Sequence, residues 1–170
     1  MKREGVPLKE YEKSKDLAVG FSDASWLVDK SVTGYNITIG KGSVSWSSKT
    51  QKFTSLSSTE AEYYAASSAG QEILFVRHLL QDIGYPPKDP TILGVDNSAC
   101  VDLSRNFESF KRARHIDRRI NFLNDYTDAG DIKLRHVPTD LNPADIFTKP
   151  FTSKNKFRRF REYIGVHSLI

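Results

Sequence analysis

The stretch Leu17-Ala18-Val19-Gly20-Phe21-Ser22-Asp23 decides the fold, because it is apolar on both of its alternating faces and ends on a carboxylate. A strand that is apolar on both faces lies in the middle of a sheet that is covered on both sides. The sequence therefore predicts a central strand that delivers Asp23 to one end of the sheet.

Two alternating stretches follow this central strand. Gly34-Tyr35-Asn36-Ile37-Thr38-Ile39-Gly40 and Val44-Ser45-Trp46-Ser47-Ser48 flank the tight turn Gly40-Lys41-Gly42, which predicts a β-hairpin. Phe53–Leu56 is a further, short strand-like stretch. The alternation places Trp46 in the core.

Helices and strands then alternate along the rest of the chain. Ser57-Ser58-Thr59 supplies N-cap candidates for a long amphipathic helix that ends before Gly84. The predicted elements are a helix over 59–83, a strand over 91–96, helices over 99–103 and 116–129, a strand over 132–137, a helix beginning at Pro143 and a basic helix over 154–163. This order predicts the α/β (α+β) class, a mixed sheet with helices on its faces.

Composition excludes several classes of protein. The chain has 170 residues, of which 38% are hydrophobic and 27% charged, as in one globular domain. Cys100 is the one cysteine, which excludes an intramolecular disulfide and a zinc site built on cysteines. No apolar run reaches the roughly 18 residues of a membrane span. Met1-Lys2-Arg3-Glu4-Gly5 lacks the apolar stretch of a signal peptide, so we expect neither a membrane partner nor a secretory leader.

Positive charge is concentrated in two segments, although the net charge is only +4. The last twenty residues carry five cations against Glu162, and the segment 105–119 carries a second cluster with Phe107, Phe110 and His115 between its cations. Such clusters are suited to a phosphate backbone, whereas a single cluster is more often a solvated helix face.

Four carboxylates stand at the ends of separate elements. Asp23 and Asp96 each close a strand, and they lie side by side if these strands are parallel neighbours. Glu62 lies one turn into the long helix, and Asp145 opens a later one. A cluster of carboxylates repels itself unless a cation neutralises it, and oxygen ligands favour Mg²⁺ or Mn²⁺. The pattern indicates metal-dependent chemistry on nucleotides or nucleic acid, although each carboxylate alone is also a common turn former or helix-dipole partner.

Six motifs that follow one another in order resemble the ribonuclease H domain at the C-terminal end of the Pol polyprotein of copia-type LTR retrotransposons. The motifs are Ser22-Asp23-Ala24-Ser25-Trp26, Ser45-Trp46-Ser47-Ser48-Lys49, Leu56-Ser57-Ser58-Thr59-Glu60-Ala61-Glu62-Tyr63, Asp96-Asn97-Ser98-Ala99, Arg114-His115-Ile116-Asp117 and Ala144-Asp145-Ile146-Phe147-Thr148-Lys149-Pro150. The resemblance runs from about Gly5 to the end of the chain.

The resemblance implies a ribonuclease H-like fold, with a five-stranded mixed sheet in the order 3-2-1-4-5 and flanking helices. It implies endonucleolytic cleavage of the RNA strand of an RNA–DNA hybrid during reverse transcription, with two Mg²⁺ ions that Mn²⁺ can replace. The implied partners are the hybrid and the adjoining reverse transcriptase polymerase domain, and the implied location is the cytoplasm, in virus-like particles. We expect a linker or extra edge strand in residues 1–16, the ribonuclease H domain in 17–150 and a basic helical tail in 151–170.

The resemblance also implies that Asp23, Glu62, Asp96 and Asp145 are the catalytic metal ligands. Glu60 is the rival of Glu62. The two lie about 200° apart around the helix, so both cannot point inwards.

Recognition of a hybrid depends on the 2′-hydroxyl in the minor groove. Candidates beside the metal site are Ala24, Ser25, Asn97 and Ser98, and candidates for the DNA-strand phosphates are Lys111, Arg112, Arg114 and His115. Trp26 either stacks on the substrate or fills the core. Many ribonucleases H carry a histidine in the loop before the last aspartate. Here the loop 137–143 has none; His136 or His115 could replace it, and the alternative is that each is a surface or capping histidine.

Other functions remain open on the sequence. An integrase or transposase of the same fold places Glu last, where this chain has Asp145. A decayed or domesticated copy would bind nucleic acid in a salt-dependent way without cleaving it. An accessory domain would cleave only when fused to its polymerase.

Overall fold

A computed structural model describes residues 17–26, 30–40, 42–52, 54–103 and 117–167. Within these ranges the elements are β1 (Ala18–Ser25), β2 (Val32–Ile39), β3 (Gly42–Thr50), α1 (Ser58–Asp82), β4 (Thr91–Val95), α2 (Ser98–Leu103), α3 (Asp117–Asp128), β5 (Ile132–His136), two 3₁₀ helices (Thr139–Leu141 and Pro143–Phe147) and α4 (Lys154–Tyr163). No helix in these ranges has the length and apolar character needed to cross a bilayer.

The strands form one sheet in the order β3-β2-β1-β4-β5. β1, β2 and β3 are antiparallel neighbours, while β4 pairs in parallel with both β1 and β5. The mixed sheet, its 3-2-1-4-5 order and the central position of β1 are confirmed. Ser22 pairs with Val95, so the residues that follow them, Asp23 and Asp96, emerge side by side at one end of the sheet.

The two faces of β1 contact two different layers. Ala18 belongs to the core cluster formed with α1, which includes Ile73. Val19 and Phe21 point to the other side, where they pack against Val137 and Ala144. Side chains alternate along a strand, so Asp23 points to the same side as Phe21, towards the C-terminal segment.

The C-terminal helix α4 packs on this second layer. Phe160 is fully buried, and the ring of Tyr163 meets that of Phe21 edge-on at 5.5 Å between centroids. The backbone N–H of Ser43 donates to the carbonyl of Ile164, just beyond the helix. The basic helix expected over 154–163 is therefore present, and its apolar side is part of the core.

The helix expected to begin at Pro143 is present, as a 3₁₀ helix over Pro143–Phe147. Two other expectations about local structure were wrong. Residues 54–56 form no strand, because Ser55 is buried and its hydroxyl donates to Gln51 Oε1; Phe53 lies outside the described residues. Trp46 is 62% exposed rather than in the core, because β3 is an edge strand and the segment around Ile164–Val166 only borders this side chain.

Gly34 lies where the sheet packs closely against the 3₁₀ helix of residues 143–147 and the residue that follows it. A Cβ at Gly34 would lie 2.6 Å from Thr148 Cγ2 and 2.9 Å from Phe147 Cβ. We expect Gly34→Ala to lower the free energy of unfolding by about 1–3 kcal/mol, because overpacking displaces this segment. Gly42→Ala is the control, since a Cβ there meets no atom within 4 Å, and its effect should stay within about 0.5 kcal/mol. Urea unfolding measures both, and equal values for the two variants would contradict the tight packing.

Candidate active site

Three aspartates from three elements meet at the carboxyl end of β1 and β4. Asp23 lies on β1, Asp96 directly follows β4, and Asp145 lies on the 3₁₀ helix of residues 143–147. One carboxylate oxygen from each lies within 4.8 Å of those of the other two. Asp23 and Asp145 are buried, and Asp96 is half-buried. Such a cluster of oxygens has the donor chemistry of a site for a hard divalent cation.

The start of α1 distinguishes Glu62 from Glu60. The hydroxyl of Ser57 accepts from the backbone N–H of Glu60 at 3.1 Å, and Glu60 Oε2 accepts from the backbone N–H of Leu56 at 2.6 Å. Glu60 is therefore part of the helix cap. Glu62 is buried, and its Oε1 accepts from the backbone N–H of Ala24 at 3.2 Å. The structure thus places Glu62, and not Glu60, beside the end of β1.

Burial makes the charged form of these carboxylates costly. Burial, reinforced by repulsion from Asp96, raises the pKa of Asp23 to about 6 against the opposing effect of the Thr148 hydroxyl. Burial and repulsion from Asp96 and Asp23 raise the pKa of Glu62 to about 9. Burial also raises the pKa of Asp96. A nearby cation favours the ionised form of a carboxyl group, so these three carboxyl groups are all ionised only when positive charge is close to them.

Two lysines supply part of this positive charge. Lys149 Nζ lies 2.9 Å from Asp145 Oδ1 and 3.7 Å from Asp23 Oδ2. Lys156 Nζ, from α4, lies 2.8 Å from Asp145 Oδ2. Burial lowers the pKa of Lys149, but the neighbouring carboxylates outweigh it and leave that pKa raised. Both carboxylate oxygens of the buried Asp145 thus face an ammonium group.

Asn142 fixes the position of the segment that carries Asp145. Its Nδ2 donates to the carbonyl of Ser22 at 2.8 Å, and its Oδ1 accepts from the backbone N–H of Ala144 at 3.1 Å. Thr148 closes the same segment, because its hydroxyl donates to Asp23 Oδ2. Sequence reasoning missed Asn142, Thr148, Lys149 and Lys156. An Asn directly before Pro143 is a helix-cap pattern that could have revealed Asn142.

The donor set fits a divalent cation. Asp23 Oδ1 and Glu62 Oε2 are buried without a hydrogen-bond partner among the described residues. A buried carboxylate oxygen without a partner is costly, and a cation would satisfy it. All the donors are oxygens, which suits Mg²⁺ or Mn²⁺ rather than zinc or copper.

The candidate nucleic-acid contacts have different surroundings. The N–H of Ala24 is occupied by Glu62, and Asn97 Oδ1 accepts from the backbone N–H of Cys100 at 3.2 Å. Ser25 is half-buried and Ser98 is exposed. Lys111, Arg112, Arg114 and His115 lie outside the described residues.

The two other side chains considered near the substrate are both exposed. Trp26 is 54% exposed, and its Nε1 donates to the carbonyl of Ser55, so it does not fill the core. His136 is exposed, with Nε2 3.2 Å from the carbonyl oxygen of Asp96. His136 therefore stands next to the carboxylate cluster.

Glu62 should make stability depend on pH when no divalent cation is present. The unfolded chain releases this proton near a pKa of about 4.3, whereas the folded chain keeps it up to about pH 9. Between these values the folded state binds more protons, so this group lowers stability as the pH rises. In EDTA at pH 8, the melting temperature of Glu62→Gln should exceed that of the parent by at least about 2–4 °C, which is the shift that 1 kcal/mol gives in a domain of this size. At pH 5 the difference in melting temperature should be smaller.

Glu60→Gln is the control for this measurement, because it removes a charge from the same helical turn while Gln can still accept from Leu56 N–H. A melting difference for Glu62→Gln that is the same at pH 5 and pH 8 would contradict the raised pKa.

Comparison with curated proteins places the chain among transposon polyproteins. It is 37% identical over 159 residues to the retrovirus-related Pol polyprotein from transposon TNT 1-94 of Nicotiana tabacum, covering 91% of this chain and 12% of that protein. It is 35% identical over 150 residues to the corresponding polyprotein from transposon RE1 of Arabidopsis thaliana, covering 86% of this chain and 10% of that protein. The chain thus spans about a tenth of the length of these relatives. No protein-family model matches it.

Comparison with solved structures identifies the fold. LC11-RNase H1, solved with an RNA/DNA hybrid, has a TM-score of 0.59 at 15% identity, covering 77% of this chain and 93% of its own. RNase H1 from Halobacterium salinarum has a TM-score of 0.57 at 18% identity, with the same coverage. The foamy viral protease-reverse transcriptase, solved with an RNA/DNA hybrid, has a TM-score of 0.59 at 16% identity, covering 87% of this chain and 21% of its own. The chain is therefore homologous to a segment, about a tenth of the total length, of retrovirus-related Pol polyproteins from copia-type plant transposons, and it has the ribonuclease H fold.

Proposed function

We propose that this chain is a metal-dependent ribonuclease H, which hydrolyses the RNA strand of RNA–DNA hybrids during reverse transcription. The observation that carries the proposal is the convergence of Asp23, Asp96 and Asp145, with Glu62 beside them, at the carboxyl end of two parallel strands. This is the edge at which open α/β sheets hold their ligands. The substrate is supported by the two structural neighbours above that were solved with a hybrid.

Asp23, Glu62, Asp96 and Asp145 are the residues that would hold the metal. Two divalent ions in such a site supply an activated water and stabilise the leaving oxygen of a phosphodiester. The chain's own contribution is preorganisation. Asn142 joins the Asp145 segment to β1, the Thr148 hydroxyl orients Asp23, and the Ala24 N–H orients Glu62.

The polyprotein relatives favour action in a larger context. The proposal includes an adjoining reverse transcriptase polymerase domain as partner, and replication in cytoplasmic virus-like particles as location. It also includes contacts of Ser25, Asn97 and Ser98 with the substrate beside the carboxylates.

Asp96→Asn should abolish cleavage because it removes one negative donor from the cluster. We expect the rate of RNA-strand cutting on a labelled hybrid in Mg²⁺ to fall at least about 100-fold, or about 2.7 kcal/mol of transition-state stabilisation. The control is Asp102→Asn, which changes an exposed aspartate on α2. This variant should cut the RNA strand at the parental rate. Equal cutting by Asp96→Asn and the parent would reject the site, and hybrid binding without cutting by the parent in Mg²⁺ or Mn²⁺ would indicate a binding module instead.

Divalent metal should stabilise the folded chain, because it binds the native cluster and not the unfolded chain. At a free concentration 100 times the dissociation constant, the gain is about 2.7 kcal/mol, which raises the melting temperature by several degrees. Thermal unfolding with and without MgCl₂ at matched ionic strength measures this shift. It should vanish in Asp96→Asn and persist in Asp102→Asn, and a shift that survives in both would place the metal elsewhere.

A further inference from the structure

A basic cavity of about 430 Å³ lies between α4 and the segment that follows Asp145. The described residues that line it include four cations and no carboxylate. The cations are Lys149, Lys154, Arg158 and Arg161. Phe151 and Phe157 form part of its wall. A concave surface that gathers this much positive charge is suited to an anion.

The cations of helix α4 fall into two groups according to their partners. Lys156 is bound to Asp145, and Arg159 donates to the carbonyl of Asp140, so these two are engaged by the domain itself. Lys154, Arg158 and Arg161 follow the spacing i, i+4 and i+7, which places them on one face of the helix. None of these three forms an ion pair with a carboxylate among the described residues.

Arg161 provides a second, independent observation. Its Nε is buried and has no hydrogen-bond partner in the described part of the chain. A buried donor without an acceptor is costly, so the guanidinium of Arg161 lines the cavity without being fully satisfied by the described residues. A guanidinium is also the group that fits the planar, bidentate geometry of a phosphate.

The cavity adjoins the carboxylate cluster through one shared side chain. Lys149 lines the cavity, and its Nζ also lies 2.9 Å from Asp145 Oδ1. Helix α4, which carries three of the cavity's cations, is held in place because Phe160 is fully buried. The hydroxyl of Ser153 caps the helix by accepting from the backbone N–H of Lys156. A strand that crosses the carboxylates would therefore pass close to the cavity.

We propose that this cavity binds backbone phosphates of the nucleic-acid strand next to the carboxylate cluster. The proposal rests on the proposed function, and it assigns the substrate's flanking phosphates to Lys154, Arg158 and Arg161. Lys154 and Arg161 are seven residues apart, about 10 Å along the helix axis. This length exceeds that of one small anion and suits successive phosphates of one strand.

The salt dependence of binding tests the proposal. Binding of a fluorescently labelled RNA–DNA hybrid is measured by anisotropy in EDTA, where no metal-dependent cutting occurs, over a series of KCl concentrations. Each phosphate contact contributes about 0.9 to the slope of log K against log[salt] on duplex DNA. The double variant Lys154→Ala/Arg158→Ala changes two exposed side chains. It should make the negative slope shallower by about 1–2 and weaken binding at low salt.

The matched control is Lys88→Ala/Lys133→Ala. It removes the same charge from exposed side chains at the opposite end of the sheet, before β4 and early in β5. The control should keep the parental slope, and the charge-preserving pair Lys154→Arg/Arg158→Lys should keep it too. Arg161→Lys, which keeps the charge but loses the planar guanidinium, should weaken binding at every salt concentration.

Failure of the cavity and failure of the proposed function give different results. If Lys154→Ala/Arg158→Ala keeps the parental salt slope, or if the control pair changes the slope by the same amount, the proposal that the cavity binds phosphates is rejected, even if the parent cleaves the hybrid. A selective loss of slope supports the cavity even if the parent does not cleave. Thermal unfolding of each variant confirms that the folded chain is being measured.

Discussion

Repulsion among carboxylates buried at one end of the sheet is the constraint that governs how the C-terminal part of the chain is arranged. The parallel pairing of β1 with β4 places Asp23 beside Asp96, and the 3₁₀ helix of residues 143–147 adds Asp145. Like charges this close cost several kcal/mol even at an effective dielectric constant of about 20. The fold holds them there because the sheet and the helix α1 are packed independently of them, around a large apolar core.

Much of the C-terminal part of the chain opposes this repulsion. Lys149 and Lys156 face the two oxygens of Asp145, and Thr148 donates to Asp23. Lys156 reaches the cluster because α4 is anchored by the buried Phe160 and by Tyr163, whose ring packs against Phe21 of β1. The last helix thus contributes to the core through its apolar side and to the site through Lys156. The domain boundary expected after residue 150 stays a prediction, but α4 is packed against what precedes it.

Local patterns predicted the elements well where periodicity is strong. The double-sided apolar character of β1 predicted its central place, and the cap candidates Ser57-Ser58-Thr59 predicted the start of α1 to within a residue. Prediction failed for Trp46, because alternation gives the face of a strand but not whether another layer covers that face at a sheet edge. It also failed for residues 54–56, where a buried hydrogen bond between Ser55 and Gln51 replaces strand pairing.

The sequence by itself determined the order of the elements, the fold class and the four candidate carboxylates, because these depend on local periodicity and on motifs in a fixed order. The motifs favoured Glu62 over Glu60, and the tertiary structure supplied the physical reason: Glu60 caps the helix while Glu62 faces β1. It alone brought Lys156 to Asp145 and joined Asn142 to Ser22, 120 residues away. Such contacts depend on how layers stack, and no local pattern of residues contains that information.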